Sequence, residues 1–82
     1  MGQLITTSAQ LGEVLRGRRK ARRVSQQELA VKLGISQSRL STLESDPAGL
    51  TLDRLLALAS VLGLEIVIQD RAAAAPRRKP EW

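Results

Sequence analysis

An 82-residue chain with no Phe, Tyr, Cys or His, and with its only Trp at the final position, must build its core from aliphatic side chains. A chain of this length buries only about 60% of the surface it exposes when unfolded, so that core is small. Disulfides cannot support it, and association with a second copy is the usual substitute. The same absences bound the chemistry. Without thiolate or imidazole there is no cysteine or histidine zinc site, no Ser-His-Asp triad and no histidine base. Serine and carboxylates remain without a base of suitable pKa, so neither an enzyme nor a cofactor or metal site is expected.

Charge is the second constraint. Thirteen Lys and Arg against eight Asp and Glu leave a net charge of +5. That sign favours a polyanionic partner, nucleic acid first and an anionic membrane surface second. The longest uncharged apolar run, Leu55 to Leu64, falls far short of the ~20 residues of a spanning helix. No basic region followed by an apolar one opens the chain, so a soluble, cytoplasmic protein is expected. Met1-Gly2-Gln3-Leu4-Ile5-Thr6 fits the loose myristoylation pattern, but a short extended arm is the preferred reading. A membrane-surface peptide built on the basic residues would need interfacial aromatics that this chain lacks.

Thr7-Ser8-Ala9-Gln10 and Ser25-Gln26-Gln27-Glu28 both have the form of a capping box, a hydroxyl followed three residues on by a side chain that reaches back. The first opens a helix with Leu11 and Leu15 on one face, running into a basic cluster that starts at Arg16. The second opens a helix with Leu29, Ala30 and Leu33 that stops at Gly34. Ser36 caps a third helix with Leu40 and Leu43 inward. Asp46-Pro47-Ala48-Gly49 breaks the chain. Thr51 caps a fourth helix bearing Leu52, Leu55, Leu56, Ala59 and Leu62, which ends at Gly63. Leu64 to Gln69 is short, β-branched and partly alternating, the pattern of a strand. From Arg71 onward the composition cannot form a core, and a flexible tail is expected. The expected organisation is an arm over 1–7, a helical domain over 8–63, a dimerisation strand over 64–70 and a tail over 71–82.

The stretch from Gln26 to Ser45 carries the functional signal. Two helices crossing steeply over a very short turn need a small residue at closest approach, which Ala30 supplies, and a residue tolerant of positive φ, which Gly34 supplies. Leu29, Leu33, Ile35, Leu40 and Leu43 then close the wedge. This is a helix-turn-helix, whose second helix enters the DNA major groove. The outward face of that helix is Gln37, Ser38, Ser41, Thr42 and Ser45: small, polar and free of acid. A merely solvated face of an ordinary helical hairpin would more often carry Glu and Lys.

Residues 8–64 resemble the Cro/C1 (XRE) phage-repressor type of helix-turn-helix domain, through Arg19-Lys20-Ala21-Arg22-Arg23-Val24-Ser25-Gln26-Gln27-Glu28-Leu29-Ala30, Leu33-Gly34-Ile35-Ser36 and Leu40-Ser41-Thr42-Leu43-Glu44. A narrower resemblance is to the HipB antitoxins, partners of HipA-type kinases. It rests on Thr51-Leu52-Asp53-Arg54-Leu55-Leu56, the strand after Leu62-Gly63-Leu64-Glu65, and the Glu81-Trp82 ending. The implied fold is an all-α bundle of four to five helices with a short C-terminal β-strand pairing across a dimer. The implied function is sequence-specific repression as the antitoxin and autorepressor of a HipBA-type pair, with a phage-type or restriction-control repressor as the alternative.

The resemblance also implies roles for single residues. Gln26 would hold a DNA phosphate and brace the next helix. Gln37 sits where a Gln can pair with adenine N6 and N7. Ser36, Ser38, Ser41 and Thr42 would contact bases or phosphates. Arg39 is placed to reach either a guanine or a phosphate, and Arg16, Lys20, Arg22 and Arg23 are available for phosphates. Arg19 and Glu44 match a structural ion pair, whereas Arg18 stands where the family commonly has an apolar residue. Leu64, Ile66 and Ile68, or the opposite face of that strand, would be buried on dimerisation over the paired fourth helices. Glu81 and Trp82 would anchor in a toxin pocket or signal to a protease, against the alternative of a chain end without a role. The expected partners are a palindromic duplex operator, a second copy and a HipA-type kinase, with no membrane.

Overall fold

The structure is a computed structural model that describes residues 2–71. Its elements are α1 (Ser8–Ala21), α2 (Gln26–Leu33), α3 (Gln37–Ser45), a 3-10 turn (Pro47–Gly49) and α4 (Leu52–Leu62). Each α-helix starts at the hydroxyl the sequence offers. The Gln10 amide donates to Thr7 Oγ1 while the Gln10 side chain accepts from the Thr7 amide, and Ser25 and Glu28 make the same reciprocal pair. Ser36 and Thr51 accept from the amides of Arg39 and Arg54.

Three helices also end alike. The amides of Val24, Ile35 and Leu64 reach back to the carbonyls of Arg19, Ala30 and Ala59, and the amide of the preceding residue bonds inside each loop to the carbonyl three residues back. This closure needs a left-handed residue. Gly34 (φ +74°) and Gly63 (φ +71°) supply it without strain, but at the end of α1 the residue is Arg23, with φ +59°.

Leu15, Leu29, Ala30, Leu40, Leu58 and Leu62 form one aliphatic cluster, as the composition requires. In α4 the buried face differs from the one expected. Leu52 and Leu56 are 67% and 47% exposed, while Leu58, absent from the expected stripe, is 1% exposed. The helix is apolar almost all round, so its own pattern cannot choose a face. Contact with α1 and α2 selects Leu55, Leu58, Ala59 and Leu62, the i, i+3, i+4, i+7 set.

Two further residues carry more than their expected role. Pro47 does interrupt the chain, but it is also buried, against Gly12 of α1. A Cβ on Gly12 would stand 2.5 Å from the Glu44 carbonyl oxygen and 3.0 Å from Pro47 Cγ. This close approach seats α1 on the end of α3.

Residues 64–70 pair with no other segment among the described residues, so the strand expected there has no partner among them. Glu81 and Trp82 lie outside the described residues. No helix among the described residues is long and apolar enough to cross a membrane.

Candidate nucleic-acid interface

Only Gly34, Ile35 and Ser36 separate α2 from α3. Ile35 is drawn half inward, and its amide bonds to the Ala30 carbonyl at 3.0 Å, which fixes the direction in which α3 leaves. Arg54 of α4 reaches the same corner, its guanidinium donating to the Leu33 carbonyl at 3.4 Å. With Leu40 and Leu43 buried, α3 turns Gln37, Ser38, Arg39 and Thr42 to solvent and leaves Ser41 half-buried. The face expected to meet DNA is thus assembled on one side of one helix.

Beneath it lies the ion pair. Arg19 Nε donates to Glu44 Oε2 at 2.7 Å and a terminal guanidinium nitrogen donates to Oε1 at 3.2 Å, the fork geometry in which Arg binds a carboxylate best. The remaining terminal nitrogen donates to the Val24 carbonyl at 3.0 Å. The two side chains are only 10% and 3% exposed. Burial alone would raise the Glu44 pKa. Hydrogen bonds from Arg19 and Gln26, with the attraction of Arg19 and Arg16, outweigh it and hold the carboxyl below its ordinary range. One pair therefore ties the end of α1, the loop after it and the end of α3 together.

Gln26, at the first position of α2, joins this cluster. Its Nε2 donates to Glu44 Oε1 at 3.0 Å, and its Oε1 lies 3.5 Å from Gln37 Nε2. The sequence signals the bracing role but not the carboxylate that receives the amide. One N–H of Gln26 is thus engaged in the free chain.

The other candidate residues divide. Ser36 Oγ is engaged as the cap of α3. The Thr42 hydroxyl donates to the Ser38 carbonyl at 3.1 Å, which leaves its oxygen able to accept from a base amine. Lys20, Arg23 and Arg39 are exposed. Arg22 lies apart from the α3 face: its guanidinium rests on Gly63 at the end of α4, in close contact with where a Cβ would stand. Arg16 is likewise drawn inward, donating to the Glu44 carbonyl at 3.4 Å. Arg18 is exposed, and α1 seats instead through Gly12, Leu15 and Arg19.

The Helix-turn-helix family matches residues 15–68. No curated protein sequence gives a significant match. Among solved structures, the chain is similar to one in a HipA–HipB–O2–O3 complex, with 30% identity over 87% of this chain and 100% of that one and a TM-score of 0.78. It is also 30% identical to chains of a HipB–O1–O2 complex and a HipB–O4 20mer complex, covering 84% and 87% of this chain and all of theirs, with TM-scores of 0.76 and 0.77. With this turn, this ion pair and these matches, the chain belongs to the XRE-type helix-turn-helix family, of the kind represented by the HipB antitoxins.

Proposed function

We propose that this chain is the antitoxin and autorepressor of a HipBA-type pair, a sequence-specific DNA-binding regulator rather than an enzyme, working in the cytoplasm. The observation that carries the reading is the acid-free polar face of α3, held by a buried ion pair, in a chain 30% identical to HipB in complexes with operator DNA. On this reading α3 lies in the major groove. Gln37 meets an adenine edge, and Ser38, Ser41 and Thr42 let the helix seat closely. Gln26, Lys20, Arg23 and Arg39 hold phosphates, with Arg39 alternatively placed on a guanine.

The operator is palindromic because the protein is two-fold symmetric. Leu64, Ile66 and Ile68 pair with their symmetry mates, and the exposed Leu52 and Leu56 add to the same apolar surface. The two recognition helices then face successive major grooves about 34 Å apart. A HipA-type kinase is the protein partner, and the Glu81-Trp82 ending is its proposed contact.

Duplex binding measured against salt tests the reading. Each neutralised phosphate adds roughly −0.9 to the log–log slope. Lys20→Ala is expected to weaken all duplexes alike and flatten that slope by about one unit, whereas Gln37→Ala should relax preference at particular base positions. Equal loss on specific and random duplexes for Gln37→Ala would remove its base-reading role. Failure of the chain to bind a HipA-type kinase, with operator binding intact, would leave a plain repressor.

A further inference from the structure

Four side chains form a hydrogen-bonded series with a fixed direction: Arg19 donates to Glu44, Gln26 donates to Glu44, and Gln37 donates to Gln26. Direction matters because an amide has two unlike ends and reads a base differently when turned over. A carboxylate has none, since both its oxygens only accept. The Gln26 amide must therefore turn its NH₂ toward Glu44, which leaves its Oε1 on the opposite side. Gln37 then has to present NH₂ to that oxygen. Its own Oε1 and remaining N–H are left for the groove in one order only.

We propose that Glu44 is a positioning residue for base readout: its buried carboxylate, acting through Gln26, sets which way round the Gln37 amide faces the DNA. This rests on the reading of Gln37 as a base-contacting residue and deepens it. Adenine offers a donor at N6 and an acceptor at N7, so a docked amide satisfies both in one orientation and neither in the other. With a neutral, reversible group in place of the carboxylate, both amides could turn over together, and the discrimination would be shared among bases. The ion pair thus does more than hold α1 to α3. Arg19 keeps Glu44 ionised, and an ionised Glu44 cannot donate.

The test is the base preference of the full chain, measured position by position on a randomised duplex library, for three variants checked for helical content. Gln37→Ala removes the reader. Gln26→Leu breaks the series and leaves Arg19 and Glu44 paired. Glu44→Asp keeps the charge beside Arg19 but is one methylene too short to hold Gln26. All three should lose about tenfold preference at the same base position, the size of one good bidentate contact, and keep their preference elsewhere.

Gln26→Leu also loses a phosphate donor, which lowers affinity for every sequence, so preference and not affinity is the readout. The Gln26→Leu/Gln37→Ala double variant should lose no more preference than Gln37→Ala alone. If Gln37→Ala loses the preference while Gln26→Leu and a folded Glu44→Asp retain it, the positioning role is overturned and the base-reading role stands. If Gln37→Ala itself retains the preference, both fall. Gln26 is only half-buried, so Gln26→Leu decides the matter even if Glu44→Asp fails to fold.

Discussion

The α1–α3 junction and the outer side of α4 treat polarity in opposite ways. At the junction two charges are buried in a small aliphatic protein, and among the described residues no buried side-chain nitrogen or oxygen lacks a partner. On the outer side of α4 and just beyond it, Leu52, Leu56, Ile66, Val67 and Ile68 face solvent. A buried ion pair is a poor source of stability, because desolvation consumes most of what the attraction gives. Its gain is geometric, fixing how α3 sits relative to α1 and α2. Large exposed apolar side chains have no comparable use in an isolated chain, and the proposed function assigns them to a contact with another molecule. The first region is completed within one chain, and the second is the surface to which the proposed dimer contact is assigned.

The largest expected effect separates the two regions directly. Arg19→Ala leaves the Glu44 carboxylate buried without its cation, a loss of about 3–5 kcal/mol. The whole stability expected of a chain this size is roughly 4–12 kcal/mol. Urea titration at matched protein concentration should therefore show a midpoint far below that of the natural chain. Leu52→Ser with Leu56→Ser should do the reverse, leaving the fold of each chain intact while shifting sedimentation toward monomer. Ile66→Pro should do the same by removing a backbone donor from the proposed pairing strand. An Arg19→Ala chain with the urea midpoint of the natural one, or a dimer undisturbed by the α4 variants, would break the division.

Of the two regions, acid should act on the junction; outside both, Glu28 is also held below its ordinary range by hydrogen bonds from the Ser25 backbone and side chain. The Glu44 pKa is lowered in the fold, so the stability it contributes is complete above its unfolded value of about 4.3 and is lost as pH falls through the folded value. Thermal melts from pH 6 down to pH 3 should show a steeper fall for the natural chain than for a folded Glu44→Gln variant. Equal slopes would mean that another carboxylate carries the acid sensitivity.

The sequence makes the local elements of both regions legible and their long-range contacts much less so, for a physical reason. Caps, left-handed glycines and the turn depend on residues within a few positions of one another, so Thr7, Ser25, Ser36, Thr51, Gly34 and Gly63 all lie where local chemistry puts them. The Arg19–Glu44 pair spans 25 residues and was legible only through resemblance to a family. Gly12 carries no local signal, because its need for a missing Cβ comes from Glu44 and Pro47, distant in sequence. The inward face of α4 is not legible in its own pattern, because nearly every position there is apolar and the choice among faces is made by neighbours. Gln26 was legible as a brace, but not as the link between the buried carboxylate and the reading amide.

The smallest expected effects lie at the three left-handed helix ends. Arg23 holds φ +59° with a side chain, a conformation that costs an L-residue on the order of 1 kcal/mol. Arg23→Gly removes that cost but loosens the unfolded chain, so the net gain should stay below about 1 kcal/mol, visible as a small rise in Tm. Gly34→Ala should lose about 1 kcal/mol through φ alone, since nothing lies within 4 Å of the added Cβ. Gly63→Ala meets the same backbone cost and also displaces the Arg22 guanidinium resting on that site. Arg22 is exposed and can swing away, so the added stability loss is slight. But Gly63 sets the direction in which residues 64–70 leave α4, so this substitution alone of the three should also weaken association between copies. Analytical ultracentrifugation of the three variants at matched concentrations checks this. A Gly63→Ala chain that dimerises as well as Gly34→Ala would detach residues 64–70 from the dimer contact and leave Leu52 and Leu56 as its only apolar candidates on α4.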